Sequence, residues 1–586
     1  MRTLGVTALL ITLTSPFTTA LPLQVPLNPN SHPKNGTRGA VACESALCSR
    51  IGTGMIELGG SAADALVAAT LCVGVVAMYH SGIGGGGFLL VRDPKRGMWE
   101  TVDYLDPERS MYETVDYRET APAAAHRDMY AGLEETASTV GGLAVAVPGE
   151  VRGLAAVHER WGKLPWTTVV MPAVMVARVG FEVNEDLVKY MDRVGGNASF
   201  LVSDPAWAED FAPNGTLVKL GDVMTRKRYA DTLQTIAIDG PEAFYQGRIA
   251  ESIVNTTQSS NGILTLADMA SYSIKTLPAL SIPYGPYTLF STSSPSSGAI
   301  ALAILNTLRN FPPVPFQTDP SPALTTHRLT ESLKFAYASR ALLGDPAYLS
   351  PPPSALESHL LSPSHGNTTH ALINDTSVLP LSYYAPHLFA APTNPGTSHL
   401  VAIDRSGLTL SSTTTVNLLF GAQLMTPDTG VVLNNEMDDF SQPGRRNAFG
   451  YEPAPENYIA PGKRPLSSIS PVIAERGGAV VLATGAAGGS RIVSATAETV
   501  WRVLGRGMGL EEAVRGARVH DQLIPRETLV EEGVEEGVVR GLRERGHNVT
   551  VVPVGLSAVH GVVRGRDGVF EAVGETRLMG SGGSVV

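Results

Sequence analysis

Leu47, Ile51, Met55 and Leu58 recur three or four residues apart, a helical spacing that Gly59-Gly60 brings to a stop. A second helix starts at once: Ser61 is placed to cap it, Asp64 falls in its first turn, and the run to Met78 is almost wholly apolar. A membrane span needs about 20 apolar residues, so this shorter run with an internal Asp predicts a buried core helix. Residues 82–87 read GIGGGG and lead into an apolar strand from Phe88 to Val91. A phosphate-cradling loop has the order strand, glycines, helix and continues into GK[ST], so this run argues against nucleotide binding. Another helix follows Val147-Pro148-Gly149-Glu150, and a long one spans Thr325 to Leu343 before Gly344-Asp345-Pro346. Between 350 and 395 prolines cluster and Ser, Thr, Asn and His dominate, which predicts an exposed loop or linker. Regular structure resumes at Thr397. Thr397 to Ile403 alternates, Leu408 to Phe420 is rich in Thr, Val and Leu, and Arg405-Ser406-Gly407 joins them, the pattern of a β-hairpin. A strand at Val480 to Ala483 and a helix from about Ile492 to Leu504 complete the outline, and strand pairs with helices imply a layered sandwich.

Composition adds breadth to this picture. The 586 residues are 43% hydrophobic and 17% charged, with 60 glycines and 41 prolines, as in a large, loop-rich globular protein. A net charge of -11 and the lack of any Lys/Arg-rich run argue against nucleic acid as a partner. Residues 1–20 have the form of a secretion signal: Arg2, an apolar stretch from Leu4 to Leu13, then Thr18-Thr19-Ala20. An uncleaved anchor is the alternative. Sequons at Asn35, Asn197, Asn214, Asn255, Asn367, Asn374 and Asn548 fit passage through the secretory pathway, to the cell surface, vacuole or medium. Of the three cysteines, Cys48 and Cys72 are the pair chosen for one disulfide, three buried thiols being the alternative, and Cys43 has no evident partner.

Common hydrolase signals are missing: there is no G-x-S-x-G, no H-E-x-x-H and no paired CxxC. The chemistry must therefore use another nucleophile. A proline-rich segment running into Gly396-Thr397-Ser398-His399 suggests a processing site, because glycine lets a hydroxyl approach the preceding carbonyl. Attack by Thr397 Oγ on that carbonyl and hydrolysis of the ester would free the threonine's α-amine. With an ordinary pKa of about 7.7 to 8.0, that amine can act as base for the adjacent hydroxyl.

GTSHLVAID, TTTVNLLFG, NNEMDDF, PLSSISP and GAAGGSRI occur in this order, preceded by CSRIG, GIGGGGF, RETAP, VPGEVRG and KFAYASRALLGDP. Together these resemble the small-subunit and large-subunit motifs of γ-glutamyltranspeptidases, from about residue 39 to near the carboxyl end. The resemblance implies an α+β, four-layer αββα sandwich of the N-terminal nucleophile class. It would be built by a heterodimer cut from one precursor, with a large subunit of residues 21–396 and a small subunit of 397–586. It further implies a self-processing γ-glutamyltransferase and glutathione hydrolase, using no metal and no organic cofactor. The γ-glutamyl group of glutathione or another γ-glutamyl compound would pass through an acyl-Thr397 ester to water, an amino acid or a dipeptide. Autocleavage would fall between Gly396 and Thr397. Residue by residue, Thr397 would be the nucleophile and Thr415 its orienting hydroxyl, although residues 413–415 read alone are strand threonines. Arg118, with Ser467 and Ser468, would bind the α-carboxylate, and Asn417, Glu436 and Asp439 the α-ammonium. The N–H groups of Gly488 and Gly489 would face the developing oxyanion. An acylase of the same fold and an uncut binding protein are the competing readings.

Overall fold

The computed structural model describes residues 36–95, 111–384, 389–390, 396–445 and 452–586. The signal-like leader, Asn35 and residues 385–388 and 391–395 of the expected linker lie outside the described residues.

Two antiparallel sheets form the centre. The first orders its strands Gly582–Val585, Gly39–Cys43, Ser398–Asp404, Thr409–Thr415, Gly86–Arg92, Tyr112–Tyr117 and Lys275–Pro278. The second runs Phe570–Val573, Ala558–Arg564, Ala479–Ala487, Val472–Arg476, Tyr287–Ser291 and Leu280–Tyr284. The expected hairpin pairs Ser398 with Thr414 and Ile403 with Thr409. Its second strand ends at Thr415, earlier than the composition suggests, because Asn417 and Phe420 take left-handed φ values of 73° and 61° that lead the chain out of the sheet.

The side-chain alternation of these strands makes the layers. Val401, Ile403, Ile473, Val480 and Ala483 meet between the sheets. Leu400, Ala402 and Leu410 face the other way, into a core shared with the helices Ala46–Glu57, Ala62–Val76 and Trp166–Val179. Leu482 and Ala486 face helices Gly298–Leu308, Pro322–Arg340 and Arg491–Val500 across the second sheet. The result is helix, sheet, sheet, helix, the expected sandwich.

The apolar run after Ser61 is the core helix Ala62–Val76, and no described helix is long and apolar enough to cross a membrane. Its cap is reciprocal: Ser61 Oγ accepts from Asp64 N–H and Asp64 accepts from Ser61 N–H at 2.7 Å. Cys48 and Cys72 are disulfide-bonded, tying this helix to its neighbour. Cys43 is buried and its Sγ lies 3.1 Å from Ser49 Oγ; burial pushes its thiol up to about 11, which leaves it inert.

The expectation of an exposed linker over 350–395 is corrected in its first part, where Ser354–Leu361 and Pro363–Leu372 are helices. The prolines and serine there are helix-start residues: Pro363 occupies the first turn and Ser362 Oγ accepts from His365 N–H. Leu360 is 1% exposed in the second core, and buried Glu357 accepts from Ser294 N–H and Oγ at 2.8 and 2.7 Å.

Candidate active site

Thr397 stands one residue before the strand Ser398–Asp404, 4% exposed, with its hydroxyl against the carbonyl oxygen of Gly396. Gly396 is required there. Its φ is 151°, and a Cβ would come within 2.1 Å of Asn417 O. Thr415 Oγ1 lies 3.3 Å from the same Gly396 oxygen and accepts the Asn417 N–H at 2.7 Å, so its proton is directed at the carbonyl. The left-handed turn at Asn417 makes this possible, because it points that N–H back at the strand end.

The glycine run has a structural role beside this point. A Cβ on Gly84 would lie 2.0 Å from Val432 O, on Gly85 2.0 Å from Thr415 O, and on Gly87 2.1 Å from Thr413 O. The run lets backbone segments close directly behind the threonines. Asn434 fastens the same region, donating to Gly84 O and Ala146 O at 2.8 and 2.9 Å. Asn417 donates its side-chain amide to Asn435 O at 3.0 Å.

One cavity collects most of the expected residues: Gly396, Thr397, Thr415, Asn417, Arg118, Glu436, Asp439, Ser467, Ser468 and Gly489 all line it. Gly488 lines a second cavity, on whose wall Gly396 and Thr397 also lie. Gly488 and Gly489 have φ of 125° and 62°, and their N–H groups have no backbone acceptor among the described residues. In the first cavity Arg118, 1% exposed, bonds Glu436 through Nη1 and Asp439 through Nη2. Burial works against the Arg118 charge, but Glu436, Asp439 and Glu119 outweigh it and hold its pKa above the ordinary value. Burial likewise pushes Glu436 well above the carboxylate range, Arg118 offsetting part of this and Glu119 adding to it. Glu119, Glu436 and Asp439 thus gather around Arg118, an acidic lining that an entering ammonium would complement.

Sequence reasoning missed two contributors. Glu119, fully buried, lies 3.7 Å from Arg118 Nη1; its place beside Arg118 in RETAP was the available signal. Arg340, 2% exposed on the long helix Pro322–Arg340, also lines the cavity and donates to Ser468 Oγ at 2.8 Å and Ser297 Oγ at 3.1 Å. Its Nη1 makes no hydrogen bond among the described residues. It sits at the end of KFAYASR, a quoted motif whose individual residues had no role. Ser467 Oγ accepts from Ile469 N–H at 3.2 Å, so the serine pair is held by the backbone on one side and a cation on the other.

The six described sequons, Asn197, Asn214, Asn255, Asn367, Asn374 and Asn548, are all exposed.

A family model described as gamma-glutamyltranspeptidase matches residues 48–585. Among curated proteins, the glutathione hydrolase proenzyme of Arthroderma benhamiae is 44% identical over 564 residues, 94% of this chain and 93% of that one. The glutathione hydrolase of Aspergillus flavus is 43% identical over 551 residues, 93% of this chain and 89% of its own. The crystal structure of a cephalosporin acylase from Bacillus halodurans matches with a TM-score of 0.79, covering 99% of both chains at 23% identity, a likeness of fold alone.

Proposed function

The chain belongs to the gamma-glutamyltranspeptidase family, and from that premise we propose that it cuts itself at Gly396–Thr397 and then hydrolyses glutathione or transfers its γ-glutamyl group through Thr397. The observation that carries the proposal is the convergence on one buried bond: the Thr397 hydroxyl touches the Gly396 carbonyl that Thr415 also addresses, at the edge of the cavity holding Arg118, Glu436 and Asp439.

In the first reaction Thr397 Oγ adds to the Gly396 carbonyl carbon while Thr415 donates to its oxygen. The C–N bond breaks as the Oγ proton passes to the departing nitrogen, which becomes the α-amine of Thr397, and water then hydrolyses the ester, releasing the residue 396 carboxylate and restoring the Oγ hydroxyl. In the second, that amine takes the Oγ proton as Oγ attacks the γ-carbonyl of the donor. The N–H groups of Gly488 and Gly489 receive the oxyanion, a contribution of about 2.7 to 4 kcal/mol for such a donor. The proton passes to the leaving amine, and water or a second amine then takes the glutamyl group and restores the Thr397 hydroxyl.

Arg118 binds the α-carboxylate together with Ser467, held by the Ile469 N–H, and Ser468, braced by Arg340. Glu436, Asp439 and the Asn417 oxygen bind the α-ammonium. A donor lacking either charge leaves buried groups uncompensated, which is the source of specificity. The Cys48–Cys72 bridge and the exposed sequons support a secretory route after removal of residues 1–20.

The test is intact mass and amino-terminal sequencing of the purified protein, with turnover of a γ-glutamyl anilide. Two chains are expected, the smaller starting Thr397-Ser398-His399, and Thr397→Ala should give one inactive, uncut chain. A cut Thr397→Ala protein would refute self-processing by this residue.

A further inference from the structure

Apart from the two cavities at Thr397, a cavity of about 290 Å³ lies elsewhere in the molecule, and its walls share no residue with either of them. It forms where three elements end: the turn between the strands Leu280–Tyr284 and Tyr287–Ser291, the helix Gly298–Leu308, and the helix Arg491–Val500, which runs on into a wider π-helical turn over Trp501–Gly505. Such turns recur at functional sites. Tyr287, Leu308, Phe311, Trp501 and Leu504 supply an apolar wall. Pro286, Pro312 and Pro313 also line it and are exposed, and their fixed φ angles leave little backbone to be ordered when a ligand enters.

Two polar groups on these walls lack the partner that their burial or charge calls for. Tyr284 is 6% exposed, yet its hydroxyl makes no hydrogen bond among the described residues, and burial alone pushes its pKa up. A buried tyrosine hydroxyl ordinarily has a partner. Gly505 keeps the space beside it clear, since a Cβ there would lie 2.6 Å from the hydroxyl oxygen. The second group is Arg309. Of the three arginines on the walls, Arg328 bonds Asp375 at 2.8 and 2.6 Å and Arg506 bonds Asp319 at 2.6 Å. The guanidinium of Arg309, a half-buried residue, donates only to the carbonyl of Pro283, the residue before Tyr284. Burial lowers its pKa with no acid to offset this, and no Asp or Glu lines the cavity.

We propose that this cavity binds a small aryl carboxylate, its ring lying among Tyr287, Phe311 and Trp501 and its carboxylate accepting from Arg309 and the Tyr284 hydroxyl. An apolar cavity of about 150 Å³ takes benzene, so about twice that volume fits a body of two rings. Aromatic walls suit a flat ring in offset or edge contact. One unpaired guanidinium is matched by one negative charge, and its planar fork by a carboxylate. A neutral ring would leave both polar groups as they are, and a phosphate ester would bring a second charge with nothing to meet it. Binding here is non-covalent, takes no part in the chemistry at Thr397 and stands apart from the glutathione reading.

The experiment titrates naphthylacetate and naphthylacetamide, which has the same rings and no charge, into the purified protein by calorimetry, with and without an excess of L-glutamate to fill the cavity of Arg118. The acid should occupy one site and bind about tenfold or more tighter than the amide, as a hydrogen bond to a charged group confers. Arg309→Gln should bring the two affinities together. Tyr284→Phe keeps the ring and removes a hydroxyl that has no partner, so the urea midpoint should hold while the acid weakens by about threefold or more. The proposal is overturned by the absence of saturable binding at millimolar acid, by equal affinities for acid and amide, by an acid affinity that survives in both variants, or by loss of binding when glutamate is present.

Discussion

Replacing Thr415 with valine keeps the shape of the side chain and removes one hydroxyl, which makes it the sharpest probe of the cutting step. That hydroxyl spans two partners: it accepts from Asn417 N–H at 2.7 Å and reaches Gly396 O at 3.3 Å. A preorganised donor to a developing oxyanion contributes about 2.7 to 4 kcal/mol. The 3.3 Å separation exceeds the usual O–H···O distance of about 2.7 to 2.8 Å, so the lower end applies, and cutting should slow by about 100-fold. Valine also leaves the buried Asn417 N–H unpaired, at a cost of about 1 to 3 kcal/mol in stability. The assay follows the single band turning into two after synthesis, with intact mass at each time. Thr415→Ser should restore most of the rate, since it keeps the hydroxyl. A folded Thr415→Val protein that matures within about threefold of the unaltered rate would refute the role given to this hydrogen bond.

Gly396→Ala should accumulate as uncut precursor, because its Cβ would meet Asn417 O at 2.1 Å and the scissile carbonyl must move; normal maturation measured by gel would contradict that geometry. Glu150, fully buried and bonded by the Thr414 hydroxyl, is raised by burial to about 8 from an ordinary 4.5. Its contribution to stability is complete below the ordinary value and is lost as pH rises through about 8, a total of roughly 5 kcal/mol that Glu150→Gln would not lose. Urea midpoints of the two proteins should therefore separate in favour of Gln between pH 5 and pH 8.5, and parallel curves would refute the shift.

Much of the frame is legible in the chain because it depends on local period and local caps. The helix after Ser61 announces itself by its cap and its apolar run, and the hairpin by alternation on either side of Arg405-Ser406-Gly407. The segment from 350 misled because proline and serine mark helix starts as well as loops, and composition alone does not separate the two. The order of elements around Gly84 to Gly87 argues only against a nucleotide loop, and what demands glycine there is the approach of Thr413, Thr415 and Val432, far away in sequence. Arg340 shows the same limit. Its partners Ser297 and Ser468 come from separate stretches of chain, and no periodicity foretells that they meet. The family motifs name Arg118, Thr397, Glu436 and Asp439 one by one, while the pairing of Arg118 with Glu436 and Asp439, more than 300 positions apart, emerges only in the fold.

Each sheet draws strands from both sides of Thr397, and the last strand, Gly582–Val585, lies beside the first, Gly39–Cys43. While the Gly396–Thr397 bond is whole, finding that arrangement is a search by one tethered molecule, with rate independent of concentration. Once the bond is cut, the same arrangement can be regained only by collision of two separate chains, each exposing strand edges without their native neighbours. The proposed maturation would thus convert one foldable chain into a two-chain product that resists loss chiefly through slow unfolding. Its lifetime outside the environment where it was made then becomes a matter of kinetics instead of equilibrium.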